Sequence, residues 1–127
     1  MPTAEDFKSK PGLKRVINAT KYSLQGLHAA FKFEAAFRQE VFLFIVMTPF
    51  AFALGQTALE VLFLISTLFL VLIVEILNSA LEALADRVCQ DYDELIGRAK
   101  DMASAAIFLC FTVVVISWGY FVIKRFF

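Results

Sequence analysis

Five polar residues recur at helical spacing in the second half of the chain: Glu75, Asn78, Ser79, Glu82 and Asp86. At offsets of 0, 3, 4, 7 and 11 they share one face of an α-helix, about a third of its circumference. We call this set the polar stripe. Because it directly follows an uncharged apolar run, it begins at membrane depth, where exposing a charged group to hydrocarbon costs about 2.5–3.5 kcal/mol. The polar stripe must therefore face protein, water or a ligand.

Two further polar clusters flank the apolar runs. One comprises Arg98, Lys100, Asp101 and Ser104, and the other is the segment 34–40, Glu-Ala-Ala-Phe-Arg-Gln-Glu. Two carboxylates can hold Mg²⁺ together with substrate phosphates. Cations can neutralise phosphate charge, and another carboxylate can accept a proton from a hydroxyl. This set suits phosphoryl transfer to an alcohol, but a proton relay or an ion channel needs similar groups, so residue types alone leave both open.

No established nucleotide-binding motif accompanies these residues. The chain has no GxxxxGK[ST] loop and no Gly-rich, HRD or DFG set. With 5 glycines in total, it offers no loop that could cradle phosphates through backbone amides. If the protein uses ATP, side chains must hold it.

Three uncharged runs, 41–59, 61–74 and 102–123, must position these clusters. The chain is 60% hydrophobic, above the ~45–50% of a soluble domain. About 20 helical residues cross the hydrocarbon core, so the first and third runs are long enough. The second becomes long enough only if its helix continues through Glu75 and Asn78. The sequence therefore predicts three membrane-spanning helices and an all-α membrane protein.

These runs predict a single integral-membrane domain over residues 1–127. Gly55-Gln56-Thr57 predicts a tight turn between the first two spans. An apolar stripe with a basic border before the first span is typical of a helix lying on the membrane surface. The alternative, a helix packed on a soluble domain, leaves no such domain for it to join. The predicted elements are a surface helix at about 13–32 and spans at about 35–55, 59–84 and 102–124.

The distribution of basic residues predicts the orientation. Formal net charge is zero, but seven of the twelve basic residues lie in the first 40 positions: Lys8, Lys10, Lys14, Arg15, Lys21, Lys32 and Arg38. This pattern fits an anionic membrane surface and gives no support for nucleic acid binding. The first connection between spans carries no Lys or Arg, and the second does. We therefore expect the N-terminus inside and the C-terminus outside, although Lys124 and Arg125 weigh the other way.

Three segments closely resemble the bacterial integral-membrane diacylglycerol kinases, in order and with the same spacing. They are Glu75-Ile-Leu-Asn-Ser-Ala-Leu-Glu-Ala followed by Asp86-Arg87, Gly97-Arg-Ala-Lys-Asp-Met-Ala-Ser-Ala-Ala, and the segment 34–40. The resemblance implies a homotrimer in the bacterial inner membrane, each subunit having three spans and a surface helix. It also implies direct transfer of the γ-phosphate of MgATP to the primary hydroxyl of diacylglycerol, which gives phosphatidic acid.

The resemblance assigns roles by position. Glu75 resembles the general base, and Glu34 and Glu82 resemble the Mg²⁺ ligands. The positions resembling nucleotide contacts are Arg15, Tyr22, Glu34, Asn78, Glu82, Asp91, Tyr92, Asp93, Lys100 and Asp101. Those resembling lipid contacts are Arg15, Ala19, Tyr22, Ser23, Leu24, His28, Ala36, Phe37, Arg38, Gln39, Glu40, Glu75, Ser104 and Trp118.

The sequence departs from the family pattern at three positions on or beside the surface helix. His28 stands where we expect arginine, Leu24 where we expect tryptophan and Phe33 where we expect asparagine. These departures concern lipid contacts and not the phosphoryl chemistry. Two alternatives stay open: a kinase of the same type that phosphorylates undecaprenol, and a channel lined by Glu75 and Asp86 that binds no nucleotide.

Overall fold

The structure, a computed structural model, describes Met1 and residues 12–127. Lys8 and Lys10 of the predicted basic N-terminal region lie outside the described residues. Within the described part every regular element is an α-helix and no strand occurs. The helices are α1 (Gly12–Phe33), α2 (Ala35–Leu54), α3 (Ala58–Val88) and α4 (Glu94–Phe126). The predicted all-α fold is confirmed.

The chain divides into two compact units, Met1–Glu34 and Ala35–Phe127. In the first unit, α1 exposes an apolar face that includes Leu13 at 77% and Val16 at 62% exposure. The Thr20 and Ser23 hydroxyls donate back to carbonyls one turn earlier, at 2.9 Å each. A helix with an exposed apolar face and polar flanks suits a membrane interface. The position of α1 on the membrane surface stays a prediction.

In the second unit, α2, α3 and α4 are each long and apolar enough to cross a membrane, so the three predicted spans have three matching helices. α3 contains 31 residues and α4 contains 33. At 1.5 Å per residue, α3 is about 46 Å long, which exceeds a hydrocarbon core of about 30 Å. Both helices therefore extend beyond the predicted spans, and the membrane boundaries within them stay predictions.

The predicted turn at Gly55-Gln56-Thr57 connects α2 to α3. Thr57 caps α3, and its hydroxyl accepts a hydrogen bond from the Glu60 backbone N–H at 3.2 Å. The Glu60 carboxylate accepts from the Gln56 backbone N–H at 2.7 Å and from the ammonium of Lys124 on α4. This arrangement follows the capping-box sequence Thr-x-x-Glu. The same glutamate thus caps α3 and ties its first turn to the end of α4.

α3 is the central helix of the bundle, because it packs against both α2 and α4 while those two contact each other only slightly. Its buried residues fall on one face: Leu64, Thr67, Leu68, Val71, Glu75 and Ala85. Leu64 and Leu68 pack with Ala51 and Leu54 of α2 and with Trp118 of α4. The polar stripe therefore continues the packed face of α3 toward its C-terminal end.

One buried hydrogen bond connects α3 to α4 inside the bundle. The indole Nε1–H of Trp118 donates to Thr67 Oγ1 at 2.9 Å, and the Thr67 hydroxyl donates to the Leu64 carbonyl at 2.6 Å. Trp118 is 7% exposed and Thr67 is 5% exposed. An unpaired indole N–H would be costly there, since no water can replace the bond. This bond fixes the rotation of α4 against α3.

Replacement of Thr67 tests that bond. Thr67→Val keeps the shape but leaves the Trp118 N–H without its acceptor, which should destabilise the protein by about 1–3 kcal/mol. Thr67→Ser keeps the hydroxyl and should cost clearly less. Reversible unfolding by dodecyl sulfate in mixed micelles would measure both variants. Equal destabilisation by Val and Ser would show that the methyl packing matters and the hydrogen bond does not.

Gly55 provides a second test, because it sits where two chain segments approach closely. A Cβ at this position would lie 2.6 Å from Val61 Cγ2 and 2.8 Å from the Val61 backbone nitrogen. Gly55→Ala should therefore destabilise the bundle by about 1–3 kcal/mol through overpacking. Gly119 lies within α4 with nothing within 4 Å of an added Cβ. Gly119→Ala should be neutral or stabilising in the same unfolding assay, and equal losses for both variants would contradict the close approach at Gly55.

Candidate active site

Burial along the polar stripe decreases from the middle of α3 toward its C-terminal end. Glu75 is buried at 6% exposure, Asn78 and Ser79 are half-buried, and Glu82 and Asp86 are exposed. Glu75 is 17 positions after Ala58, the first residue of α3, so it lies about 26 Å along the helix. The exposed members of the polar stripe lie beyond it, toward the C-terminal end of α3.

The Glu75 carboxyl group faces Glu40 of α2. The two side chains are close enough to repel each other as anions and to share a hydrogen bond. The second Glu40 oxygen, Oε2, is buried and finds no hydrogen-bond partner among the described residues. The pair therefore offers an acceptor that a hydroxyl could satisfy.

An apolar cavity of about 140 Å³ adjoins this pair. Its walls come from all three long helices, and Glu40 is its one charged lining residue; the others are Leu43, Phe44, Met47, Leu68, Val71, Phe111 and Val114. Val71 lies one helical turn from Glu75 on the packed face of α3. A cavity with apolar walls and one carboxylate fits a hydrocarbon that carries a polar end.

Charged groups gather at the exposed end of the polar stripe, beside the loop of residues 89–93. Lys100 Nζ on α4 donates to Asp86 Oδ1 on α3 at 2.7 Å. Glu82 also lies close enough to attract the Lys100 ammonium. Asp101 follows on α4 and is exposed. We call this end of the bundle, with its mixed charges, the loop end.

The loop itself holds Asp91, Tyr92 and Asp93, three residues predicted to lie near a nucleotide. Asp93 caps α4, and its Oδ1 accepts from the Leu95 and Ile96 backbone N–H groups at 3.0 Å each. Tyr92 is 88% exposed, and Asp91 is also exposed. Asp93 therefore has a structural role at the start of α4, while the tyrosine side chain is accessible to a ligand.

Asn78 connects the buried and exposed parts of the stripe. Its Oδ1 atom is buried and has no hydrogen-bond partner within the described part of the chain. A buried amide oxygen without a partner is costly. It therefore offers a second acceptor, one helical turn from Glu75 and one from Glu82.

Seven predicted site residues lie in the N-terminal unit. Tyr22 and Glu34 are half-buried there. The other five, which are exposed, are Arg15, Ala19, Ser23, Leu24 and His28. Glu34 follows the end of α1, with its backbone N–H bonded to the Ala30 carbonyl at 2.9 Å. The predicted pairing of Glu34 with Glu82 at Mg²⁺ stays a prediction.

Three predicted lipid contacts on α2, Ala36, Arg38 and Gln39, are exposed, whereas Phe37 is buried. Ser104 on α4 is exposed. Trp118 is buried and bonded to Thr67, so the structure gives it a place in the core. These contacts with lipid stay predictions.

A magnesium ion fits the chemistry of the loop end. Among the described residues no group of three or more His, Cys, Asp or Glu side chains could hold a metal by itself. Mg²⁺ needs fewer protein ligands than that, because one or two carboxylates, substrate phosphates and water complete its octahedron. The exposed carboxylate of Glu82 is available for this role.

Sequence reasoning missed four contacts: Glu40 with Glu75, Lys100 with Asp86, Thr67 with Trp118 and Glu60 with Lys124. The sequence did contain one indication that Thr67 is buried, because it lies eight residues before Glu75 and therefore on the same helix face. No local signal could have identified the partners, because each pair joins two different helices.

The fold and the site define a small helical membrane protein with paired carboxylates inside its bundle and a carboxylate–lysine cluster at one end. Over residues 21–122 the chain matches the family model described as prokaryotic diacylglycerol kinase. It is 50% identical over 108 residues to the diacylglycerol kinase of Haemophilus influenzae, covering 85% of this chain and 92% of the relative. The diacylglycerol kinase of Pseudomonas aeruginosa is 50% identical over 113 residues, covering 89% of this chain and 92% of the relative. That of Escherichia coli is 50% identical over 107 residues, covering 84% and 88%.

The chain belongs to the prokaryotic diacylglycerol kinase family, which confirms the resemblance seen in its three segments. It is accordingly a lipid kinase of the membrane and uses ATP, as the sequence predicts.

Proposed function

We propose that this protein transfers the γ-phosphate of MgATP to the primary hydroxyl of diacylglycerol and so makes phosphatidic acid. The observation that carries the proposal is the burial of Glu75 on the packed face of α3, opposite Glu40 and beside an apolar cavity. A membrane lipid reaches such a site laterally, so only its hydroxyl needs to meet the carboxyl pair. The relatives that bear the name diacylglycerol kinase support the choice of lipid.

Glu75 is the proposed general base. The hydroxyl oxygen forms a bond to the γ-phosphorus, the bond from that phosphorus to the β–γ bridging oxygen breaks, and ADP leaves. The hydroxyl proton passes to Glu75. Glu40 supports this step because its carboxyl group lies against Glu75 and helps to position that carboxylate beside the cavity. The proposed lipid contacts further comprise Arg15, Ala19, Tyr22, Ser23, Leu24, His28, Ala36, Phe37, Arg38, Gln39, Ser104 and Trp118.

The nucleotide is proposed to bind at the loop end, where Lys100 supplies a cation and Tyr92 an accessible ring. The further proposed contacts are Asn78, Asp91, Asp93 and Asp101, together with Arg15 and Tyr22 of α1. Glu34 and Glu82 would hold Mg²⁺, and the ion would neutralise charge on the β- and γ-phosphates. Side chains supply these contacts because the sequence has no phosphate-binding loop.

A homotrimer is proposed as the working form. Large apolar side chains of the single chain are exposed, for example Phe42 and Ile116, so lipid or other copies must cover them. Small exposed residues on α3 and α4, among them Ala80, Ala83 and Ala105, allow close helix contacts. The trimer would sit in the bacterial inner membrane with its N-terminus cytoplasmic and its C-terminus periplasmic.

Removal of the base tests the proposed chemistry. Glu75→Gln should lower kcat by about 10²- to 10⁴-fold, because no group then takes the hydroxyl proton. Binding of MgATP and assembly of the oligomer should stay unchanged. The assay supplies dioleoylglycerol in mixed micelles with Mg²⁺ and γ-labelled ATP and measures labelled phosphatidic acid. Glu94→Gln, which changes a glutamate with an 83% exposed side chain, is the matched control.

The same assay with undecaprenol separates the two lipid alcohols. Label in phosphatidic acid that is lost in Glu75→Gln supports the proposed function. Label only in the polyprenyl product would replace diacylglycerol by undecaprenol and keep the mechanism. If Glu75→Gln prevented assembly, Glu75 would be a structural residue.

The metal assignment has its own test. Glu82→Gln should raise the Mg²⁺ concentration needed for half-maximal rate by roughly tenfold or more, because one oxygen ligand loses its charge. Titration of the rate with Mg²⁺ at saturating ATP measures the shift, and Glu34→Gln should behave alike. Glu94→Gln again serves as the control. An unchanged Mg²⁺ titration in a variant would remove that residue as a ligand.

A further inference from the structure

The ion pair between Asp86 and Lys100 joins two helices across the loop end. Asp86 lies in the last turn of α3, two residues before its end, and Lys100 lies in the second turn of α4. The Nζ–Oδ1 distance is 2.7 Å. The two residues are 14 positions apart in sequence, so the contact depends on the packing of α3 against α4. Asp86 is a member of the polar stripe but has no role in the proposed chemistry.

Stability alone is a weak reason for this contact. The Lys100 side chain is 39% exposed and that of Asp86 is 67% exposed, and ion pairs exposed to this degree add little to stability. The helices are already tied together by the buried Trp118–Thr67 bond and by Glu60 with Lys124. We therefore consider how the ion pair affects the conformation of the Lys100 side chain.

A lysine side chain has a flexible four-carbon stem, and its ammonium group can donate three hydrogen bonds. Without a partner, Lys100 would sample many rotamers over the loop end, and binding an anion would require ordering it. Asp86 Oδ1 accepts one hydrogen bond from the Lys100 ammonium at 2.7 Å, which leaves the other two N–H groups of the ammonium available. Glu82, one turn before Asp86 in α3, attracts the same ammonium. Together the two carboxylates hold the ammonium above the polar stripe.

We propose that Asp86 is a positioning residue that orients Lys100 toward the phosphates of the nucleotide, acting through Lys100 and not on the nucleotide itself. The inference rests on the proposed function, since it assumes that Lys100 contacts MgATP. It adds a residue outside the proposed nucleotide, metal and lipid contacts.

The sign of the effect distinguishes this role from a simple charge effect. An aspartate close to a polyphosphate repels it, so if Asp86 acted only through space its neutralisation would improve nucleotide binding. If Asp86 orients Lys100, neutralisation weakens nucleotide binding instead. The two ideas therefore predict opposite changes for the same substitution.

The experiment measures steady-state kinetics of the full chain in mixed micelles with dioleoylglycerol, together with binding of a fluorescent ATP analogue in the absence of lipid. Asp86→Asn should raise the KM for MgATP and the Kd of the analogue by about tenfold, as for loss of a charged hydrogen bond. The kcat and the KM for lipid should change less than about twofold. Asp86→Glu, which retains the carboxylate, should recover part of the loss.

Two comparisons make the test specific. Glu94→Gln removes the carboxylate of an exposed ion pair near the start of α4, where Glu94 lies 3.8 Å from Arg98. It changes the net charge by the same amount as Asp86→Asn. It should leave the KM for MgATP unchanged. In a Lys100→Met background, Asp86→Asn should add no further loss, because a residue that acts through Lys100 has nothing left to orient.

The outcomes separate this inference from the proposed function. A wild-type protein that binds no ATP analogue and makes no product would overturn the proposed function and the inference with it. Binding and activity in the wild type with an unchanged or lower KM in Asp86→Asn would overturn the inference alone. An equal loss in the Lys100→Met background would also overturn it, as would a parallel fall in kcat, lipid affinity and thermal stability.

Discussion

The packed face of α3 is the feature on which the rest of the molecule depends. Hydrocarbon does not tolerate an ionised side chain, so a carboxylate at membrane depth must lie on a helix face that protein already covers. Glu75 meets this condition because it follows Leu64, Leu68 and Val71 on the same face. The residues that hold the bundle together and those proposed to carry out the reaction thus share one stripe. Rotation of α3 would expose both at once.

Polar contacts hold α3 and α4 together at three levels along the helix bundle. Glu60 and Lys124 join them near the α2–α3 turn, Thr67 and Trp118 join them in the interior, and Asp86 and Lys100 join them at the loop end. α2 contacts α3 through apolar side chains and brings Glu40 to Glu75. These contacts fix the rotation of α4 about its own axis. That rotation determines the direction in which the Lys100 side chain leaves the helix.

Much of the fold and part of the site could be predicted from the sequence. Helical spacing identified the polar stripe and required the second span to continue through Glu75, and α3 does run unbroken to Val88. Local spacing could not show that Glu40 faces Glu75 or that Asp86 pairs with Lys100, because those contacts depend on how the helices are rotated against each other. The bond between Trp118 and Thr67 illustrates the same limit, because it also joins two different helices.

The unequal lengths of the helices couple the site to the thickness of the bilayer. α2 has 20 residues, about 30 Å of helix, which matches an average hydrocarbon core, whereas α3 is longer by 11 residues. Hydrophobic mismatch is relieved by tilt, so a thicker bilayer stands α3 more upright and a thinner one tilts it. Either change moves Glu75 relative to the interface while its distance along α3 stays constant. For the proposed reaction, membrane composition would thereby set how far the lipid hydroxyl must move along the bilayer normal to reach the carboxylate.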